Sequence, residues 1–68
     1  MSKDDLIVWQ DVIIDFNGRH IRATYSASYG IVTVNSFSGG SKSARIGAHS
    51  AKRMAEIVLR EMATEGKA

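Results

Sequence analysis

The sequence predicts an α+β domain, a three-stranded antiparallel β-meander with one C-terminal helix packed on one face of the sheet. The first half of the chain alternates apolar and polar residues and carries turn dipeptides between the alternating stretches, which is typical of strands. The last third instead places apolar residues at helical spacing. Because 68 residues are too few for two separate cores, residues 1–68 are predicted to form a single small domain.

The first two strands are predicted over residues 5–16 and 19–27, joined by a tight turn. The turn is Asn17-Gly18, a dipeptide that tolerates the positive φ angles of a type I′ hairpin. A two-residue turn fixes the register of the hairpin, and in this register apolar residues face each other on one side. The predicted pairs on that side are Phe16 with Arg19, Ile14 with Ile21, Val12 with Ala23 and Gln10 with Tyr25.

A third strand is predicted over residues 30–36, where β-branched residues are concentrated. A turn at Ser28-Tyr29 would place Tyr25 opposite Val32 and so continue the apolar face of the first hairpin. The three strands then form a meander in which each strand pairs with the next.

The segment after the third strand is predicted to be a loop, and a helix is predicted to follow it. Residues 36–43 are rich in Ser and Gly, which favours a loop. The helix is predicted over residues 50–65, with Ser50 as its N-cap and Gly66 just beyond its end. Its apolar stripe, which would face the sheet, consists of Ala51, Met54, Ala55, Val58 and Met62.

The composition bounds the chemistry of the chain. With no cysteine, it has neither a disulfide nor a thiolate metal site, and no histidine spacing suggests another metal site. We therefore expect no metal and no cofactor, and a chain this short leaves little volume for the pocket of an enzyme. No signal peptide pattern opens the chain and no apolar run is long enough to span a membrane, so a cytoplasmic, non-enzymatic protein is expected.

The face of the sheet that the helix leaves uncovered is the first candidate site. Such a face is usually polar, but here the predicted strands place large apolar side chains on it next to an arginine, a combination that often marks an interface. The candidate interface residues are Ile7, Trp9, Ile13, Arg22 and Ile31. On the same face Asp15 is predicted to pair with His20 across the hairpin. These residues predict a homodimer contact or a site for another protein; a terminal segment folded over the face, or a slipped register near residue 10, would also account for them.

The second candidate site is basic. Residues 16–55 contain six basic residues and no acidic residue, which favours an anionic partner. Glycines in this region let backbone N–H groups approach an anion, and a helix N-terminus follows them. The candidate anion-binding or nucleic-acid-binding residues are Lys42, Arg45, His49, Lys52 and Arg53. A flexible connector kept soluble by its charges is the alternative interpretation of this segment.

Two functions therefore remain open from the sequence. The first is a small non-enzymatic interaction protein that associates with itself, as a homodimer, or with another protein through the uncovered sheet face. The second is a nucleic-acid-binding module that uses the basic segment at residues 42–53. A dimer would double the basic surface, so the two functions are compatible.

Overall fold

The computed structural model describes residues 8–68, which form four strands and one helix. The elements are β1 (Gln10–Phe16), β2 (Arg19–Ser28), β3 (Ile31–Ser36), β4 (Ser41–Arg45) and α1 (Ala51–Thr64). The strands form one antiparallel sheet in the order β1-β2-β3-β4. The chain is thus a small α+β domain with an antiparallel sheet and one C-terminal helix, as predicted. The predicted number of strands is wrong, because the sheet has four strands and not three.

The fourth strand lies where the sequence predicted a loop. A turn over residues 37–39 folds the chain back onto β3, and the Ser36 N–H donates to the Gly40 carbonyl at 2.8 Å. Gly39 has a φ of 104°, which glycine adopts without steric cost. Only Ala44 of the five residues in β4 is apolar, so the strand shows no apolar alternation. Backbone pairing with β3, rather than hydrophobic patterning, makes this polar segment a strand.

The first hairpin has the predicted register. Its residue pairs run from those that flank the turn back to Gln10 and Tyr25. Asn17 and Gly18 have φ angles of 53° and 77°, as a type I′ turn requires. The turn dipeptide therefore sets the pairing of the whole hairpin.

The second hairpin turns one residue later than predicted. Tyr29 and Gly30 have φ angles of 54° and 75°, and Tyr25 lies opposite Val34 instead of Val32. The predicted turn is wrong because it would place two residues with a Cβ atom in the left-handed region, whereas the observed turn places a glycine at one of the two positions. The register moves by two residues, so the same side chains stay on the core side.

The core lies between the sheet and one face of α1. Its buried residues are Val12, Ile14, Ala23, Tyr25, Val32 and Val34 from the sheet, and Ala55, Val58, Leu59 and Met62 from the helix. Ala51 and Met54 are partly buried against this core. The predicted apolar stripe of the helix therefore faces the sheet, and Leu59 joins it.

Both ends of α1 are capped. Ser50 Oγ accepts a hydrogen bond from the Arg53 N–H at 3.1 Å, as expected of an N-cap. At the other end Gly66 has a φ of 78°, and the Lys67 N–H donates to the Met62 carbonyl at 2.7 Å, which is the Schellman arrangement. The helix therefore begins and ends within one residue of the predicted bounds.

Candidate interaction surfaces

The outer face, defined here as the sheet surface opposite α1, carries exposed apolar side chains. Ile13 is 51% exposed, although its neighbours Val12 and Ile14 are buried in the core. In β3, Ile31 is 44% exposed beside the buried Val32. Strand alternation thus directs both exposed isoleucines away from the helix. The sequence prediction that these residues share the outer face agrees with this placement.

The apolar residues of the outer face do not form one continuous patch. Ile13 lies opposite Arg22 of β2, whereas Ile31 lies opposite Ser28 of β2. Ser28 is six positions after Arg22 in β2, a distance of about 20 Å along a strand. The structure therefore brings Ile13 and Arg22 together and places Ile31 at the other end of the sheet.

Two further candidates of this surface lie at or beyond the first strand. Trp9 is the residue before β1, and 43% of its surface is exposed. Ile7 lies outside the described residues. Of the five residues predicted for this interface, four are therefore placed on the structure, and all four contribute exposed surface.

The middle of the outer face is polar and rich in hydroxyl groups. Strand alternation places there the side chains of Thr24, Ser26, Thr33, Asn35, Ser41 and Ser43. The hydroxyl groups of Thr33 and Ser43 lie 2.9 Å apart across β3 and β4. Two of these six residues, Ser41 and Ser43, were not expected on this face because their segment is predicted to be a loop.

The two edge strands of the sheet, β1 and β4, differ in the charge that they place on the outer face. On β1, the Asp15 carboxylate lies 2.8 Å from His20 Nε2, which is the predicted cross-strand pair. Asp11 lies opposite Thr24 on the same face. On β4, the outer face carries Arg45 and no acidic residue. The outer face therefore has an acidic side at β1 and a basic side at β4.

The predicted basic cluster is divided by the fold. Lys42 lies on the helix side of β4, where its Nζ is 3.0 Å from Glu65 Oε2 and 3.3 Å from Glu61 Oε1. The hydrogen bonds to Glu65 and Glu61 raise the pKa of Lys42 above its usual value. The same hydrogen bond from Lys42 lowers the pKa of Glu65. These two carboxylates neutralise Lys42, so it offers little charge to a bound anion.

The other members of the basic cluster lie elsewhere. Arg45 ends β4 on the outer face, whereas His49, Lys52 and Arg53 lie around the start of α1. Arg53 Nη1 is 3.4 Å from a carboxylate oxygen of Glu56 in the next turn. The start of α1 lies about 15–21 Å along the helix from the glutamates that bind Lys42. The structure thus spreads the predicted basic cluster over three places: the helix side of β4, the outer face and the start of α1.

A shallow groove between β1 and α1 was not predicted from the sequence. Its volume is about 680 Å³, and Ile14 and Ile57 form part of its wall. Charged groups of both signs surround it, among them Asp15, Glu56 and Arg60. A mixed rim of this kind favours neither an anionic nor a cationic ligand. Among residues 8–68, no group of three or more His, Asp or Glu side chains is arranged to hold a metal ion.

Comparison of the chain with protein-family models, with curated proteins and with solved structures finds no match. In the described part of the chain, no helix is long and apolar enough to cross a membrane. The chemistry of the surfaces described above is therefore the basis for a proposed function.

Proposed function

We propose that the protein is a small, non-catalytic interaction protein that binds a second copy of itself or another protein through the outer face of its sheet. The observation that carries the proposal is the exposed pair of Ile13 and Arg22. Ile13 is more than half exposed at the β1 edge of the outer face, where it also borders the groove between β1 and α1, and it lies directly opposite Arg22. Trp9 adds an exposed aromatic side chain close to β1.

The residue types on the outer face suit a protein interface. Trp and Arg are enriched among the residues that dominate binding energy in such interfaces. Burial of the exposed half of Ile13, Ile31 or Trp9 by a partner would contribute about 1 kcal/mol for each side chain. The hydroxyl groups between them can donate and accept hydrogen bonds with a partner backbone or with bridging water.

The size of the outer face sets the strength of the expected complex. Four strands spaced about 4.8 Å apart and about 20 Å long give a face of about 400 Å². A standard stable interface buries about 800 Å² on each partner. A complex formed by this face alone is therefore expected to be weak and transient, unless neighbouring edges or the N-terminal residues of the chain contribute to it.

A photo-crosslinking experiment tests the proposal. A photoreactive amino acid at position 13 should give covalent adducts with protein, whether with the purified chain itself or in an extract of the source cells. The same amino acid at position 52 is the control, because Lys52 is exposed on α1, on the opposite side of the sheet from the outer face. Adducts at position 13 that are no more abundant than those at position 52 would contradict the proposal.

A second candidate function, nucleic-acid binding, has support from the distribution of ion pairs. Among residues 8–68, every acidic side chain except that of Asp11 lies within ion-pair distance of a basic side chain. Several basic side chains have no such partner in the same part of the chain: Arg19, Arg22, Arg45, Lys52 and Arg60. The unpaired charge of residues 8–68 is therefore positive, and Arg22 and Arg45 place part of it on the outer face.

The two candidates differ in their response to salt. Binding to duplex DNA or RNA would weaken steeply as salt increases, because each neutralised phosphate releases counterions. The double variant Arg22→Gln, Arg45→Gln should then reduce both the affinity and the salt dependence. No detectable binding to duplex DNA or RNA at about 50 mM salt would exclude the second candidate.

A further inference from the structure

Among residues 8–68, no strand pairs with the outer edge of β4, and two backbone hydrogen bonds show which of its residues face that edge. The Ser36 N–H donates to the Gly40 carbonyl at 2.8 Å, and the Ile46 N–H donates to the Gly30 carbonyl at 2.9 Å. In an antiparallel ladder the bonding residues alternate with residues whose N–H and C=O groups point away from the partner strand. The even-numbered residues of β4 therefore bond to β3. The backbone groups that point to the free edge belong to Ser41, Ser43 and Arg45.

The opposite edge of the sheet has a different character. The two-residue turn after Phe16 makes the even-numbered residues of β1 the bonding partners of β2. The backbone groups that point away from β2 therefore belong to Asp11, Ile13 and Asp15. Two of these three residues carry acidic side chains, which discourage another strand from pairing at this edge.

Charge decides which edge can pair with its own copy. A two-fold axis at Ile13 would place Asp11 opposite Asp15 of a second copy, and like charges directly opposite each other are destabilising. A two-fold axis at Ser43 places Ser43 opposite Ser43 of the second copy and Ser41 opposite its Arg45. The β4 edge thus pairs with itself without any like-charged pair on the outer face.

Repulsion between the Lys42 side chains of the two copies would also oppose this pairing. Two glutamates of the same chain neutralise each Lys42. In a two-fold pairing at Ser43, the Cα atoms of the two Lys42 residues lie about 8 Å apart on the helix side of the sheet. Each Lys42 already contacts Glu61 and Glu65 of its own chain at 3.3 Å and 3.0 Å. The seam between the two copies therefore carries no net positive charge at this position.

We propose that the chain forms a two-fold symmetric dimer in which the β4 edges of two copies pair in antiparallel fashion, with Ser43 on the axis. This register uses all three residues whose backbone groups point outward, and so gives about six backbone hydrogen bonds. The product is a continuous eight-stranded sheet with both helices on one side. The outer faces of the two copies join into one surface of about 800 Å², the size that a standard interface needs on one partner. The proposal rests on the β4 edge and not on the outer-face contact proposed above, so the two can be tested separately.

A charge swap at Ser43 tests the dimer, because the residue on a two-fold axis faces its own copy. Ser43→Asp and Ser43→Lys, each alone, are expected to raise the dimer dissociation constant about tenfold or more by like-charge repulsion. An equimolar mixture of the two variants should restore association as a heterodimer. The same pair of substitutions at Thr24, an outer-face position in the interior of the sheet, is the control and should show no recovery on mixing. A mixture at Ser43 that associates no better than each variant alone would overturn the proposal.

Amide hydrogen exchange provides a readout that needs no substitution. The amides of Ser41, Ser43 and Arg45 should exchange more slowly as the protein concentration rises, while those of Asp11 and Asp15 remain fast. Slowing at both edges together would instead indicate head-to-tail pairing of β4 with β1 into open chains and would overturn the closed dimer.

The two proposals fail in different ways. If the charge swap at Ser43 succeeds but position 13 gives no specific crosslinks, the β4 dimer stands and the outer-face function fails. If position 13 crosslinks while the β4 amides stay fast at every concentration, the outer-face function stands and the β4 dimer fails.

Discussion

Lys42 Nζ lies 3.0 Å from Glu65 Oε2, so the basic residue on the helix side of β4 is bound to the C-cap of the helix that covers the sheet. The pair joins the edge strand to α1. It also removes Lys42 from the positive surface that the sequence suggested for anion binding.

This ion pair predicts a pH dependence of stability. The hydrogen bond lowers the pKa of Glu65, so its contribution is present above the ordinary glutamate pKa of about 4.3 and is lost as the pH falls through the lowered value. The pKa of Lys42 is raised, so its contribution is present below about pH 10.4 and is lost as the pH rises through the raised value. Urea unfolding as a function of pH should therefore show a shallower acid loss for Lys42→Met than for the wild type. Lys52→Met is the control, and identical profiles for all three proteins would contradict the prediction.

The two hairpin turns predict a pair of reciprocal substitutions. Tyr29 is 88% exposed and has a φ of 54°, a conformation that costs most residues about 1 kcal/mol and that Asn tolerates better. Tyr29→Asn should therefore raise the free energy of unfolding by about 0.5–1 kcal/mol. Asn17→Tyr, at the equivalent position of the first turn, should lower it by a similar amount. Chemical denaturation measures both, and a loss of stability in Tyr29→Asn would show that the tyrosine side chain makes a contact worth more than the turn preference.

The N-cap of α1 predicts a loss on removal of one hydroxyl group. Ser50→Ala leaves the Arg53 N–H without its side-chain acceptor and should lower the free energy of unfolding by about 1 kcal/mol. Ser28→Ala, at an exposed strand position, removes the same atom without removing a cap and should change stability little. Equal effects of the two substitutions in thermal unfolding would argue against the cap as the cause.

The position of Leu59 predicts the largest effect of a single truncation in the helix. Its side chain is fully buried, and Leu→Ala substitutions at such sites cost about 2–5 kcal/mol. A domain of this size has a small reserve of stability, so Leu59→Ala is expected to be largely unfolded at room temperature by circular dichroism. Ile57→Ala, at a position only partly buried, should stay folded. A folded Leu59→Ala with a sharp thermal transition near that of the wild type would contradict the described core.

Local patterns predicted most of the fold, and their limits are physical. Asn17-Gly18 determines the register of the first hairpin because both residues tolerate the positive φ angles of a type I′ turn. The second turn was placed one residue early because alternation is unchanged by a two-residue shift, and only the conformational preference of Gly30 distinguishes the two registers. β4 is not predicted from the sequence because a strand of five residues with one apolar side chain shows no alternation of apolar and polar residues.

The candidate surfaces were predicted less completely than the fold. The exposure of Ile13 and Ile31 followed from alternation within each strand, but the distance between them depends on pairing across strands. The neutralisation of Lys42 depends on its position on the helix side of β4, and the sequence predicts a loop at this segment. Contacts between distant segments therefore decide the charge of a surface even where each segment is correctly identified.

The most direct test of the account is the molar mass of the chain in solution between about 10 µM and 1 mM, measured by light scattering for the wild type, Ile13→Asp and Ser43→Asp. The account predicts that the mass of the wild type rises towards twice the 7.4 kDa of one chain, and that each substitution shifts this rise to higher concentration. Ala48→Asp, which adds the same charge in the exposed segment between β4 and α1, should follow the wild type. Identical curves for all four proteins would contradict the claim that the chain associates through its sheet.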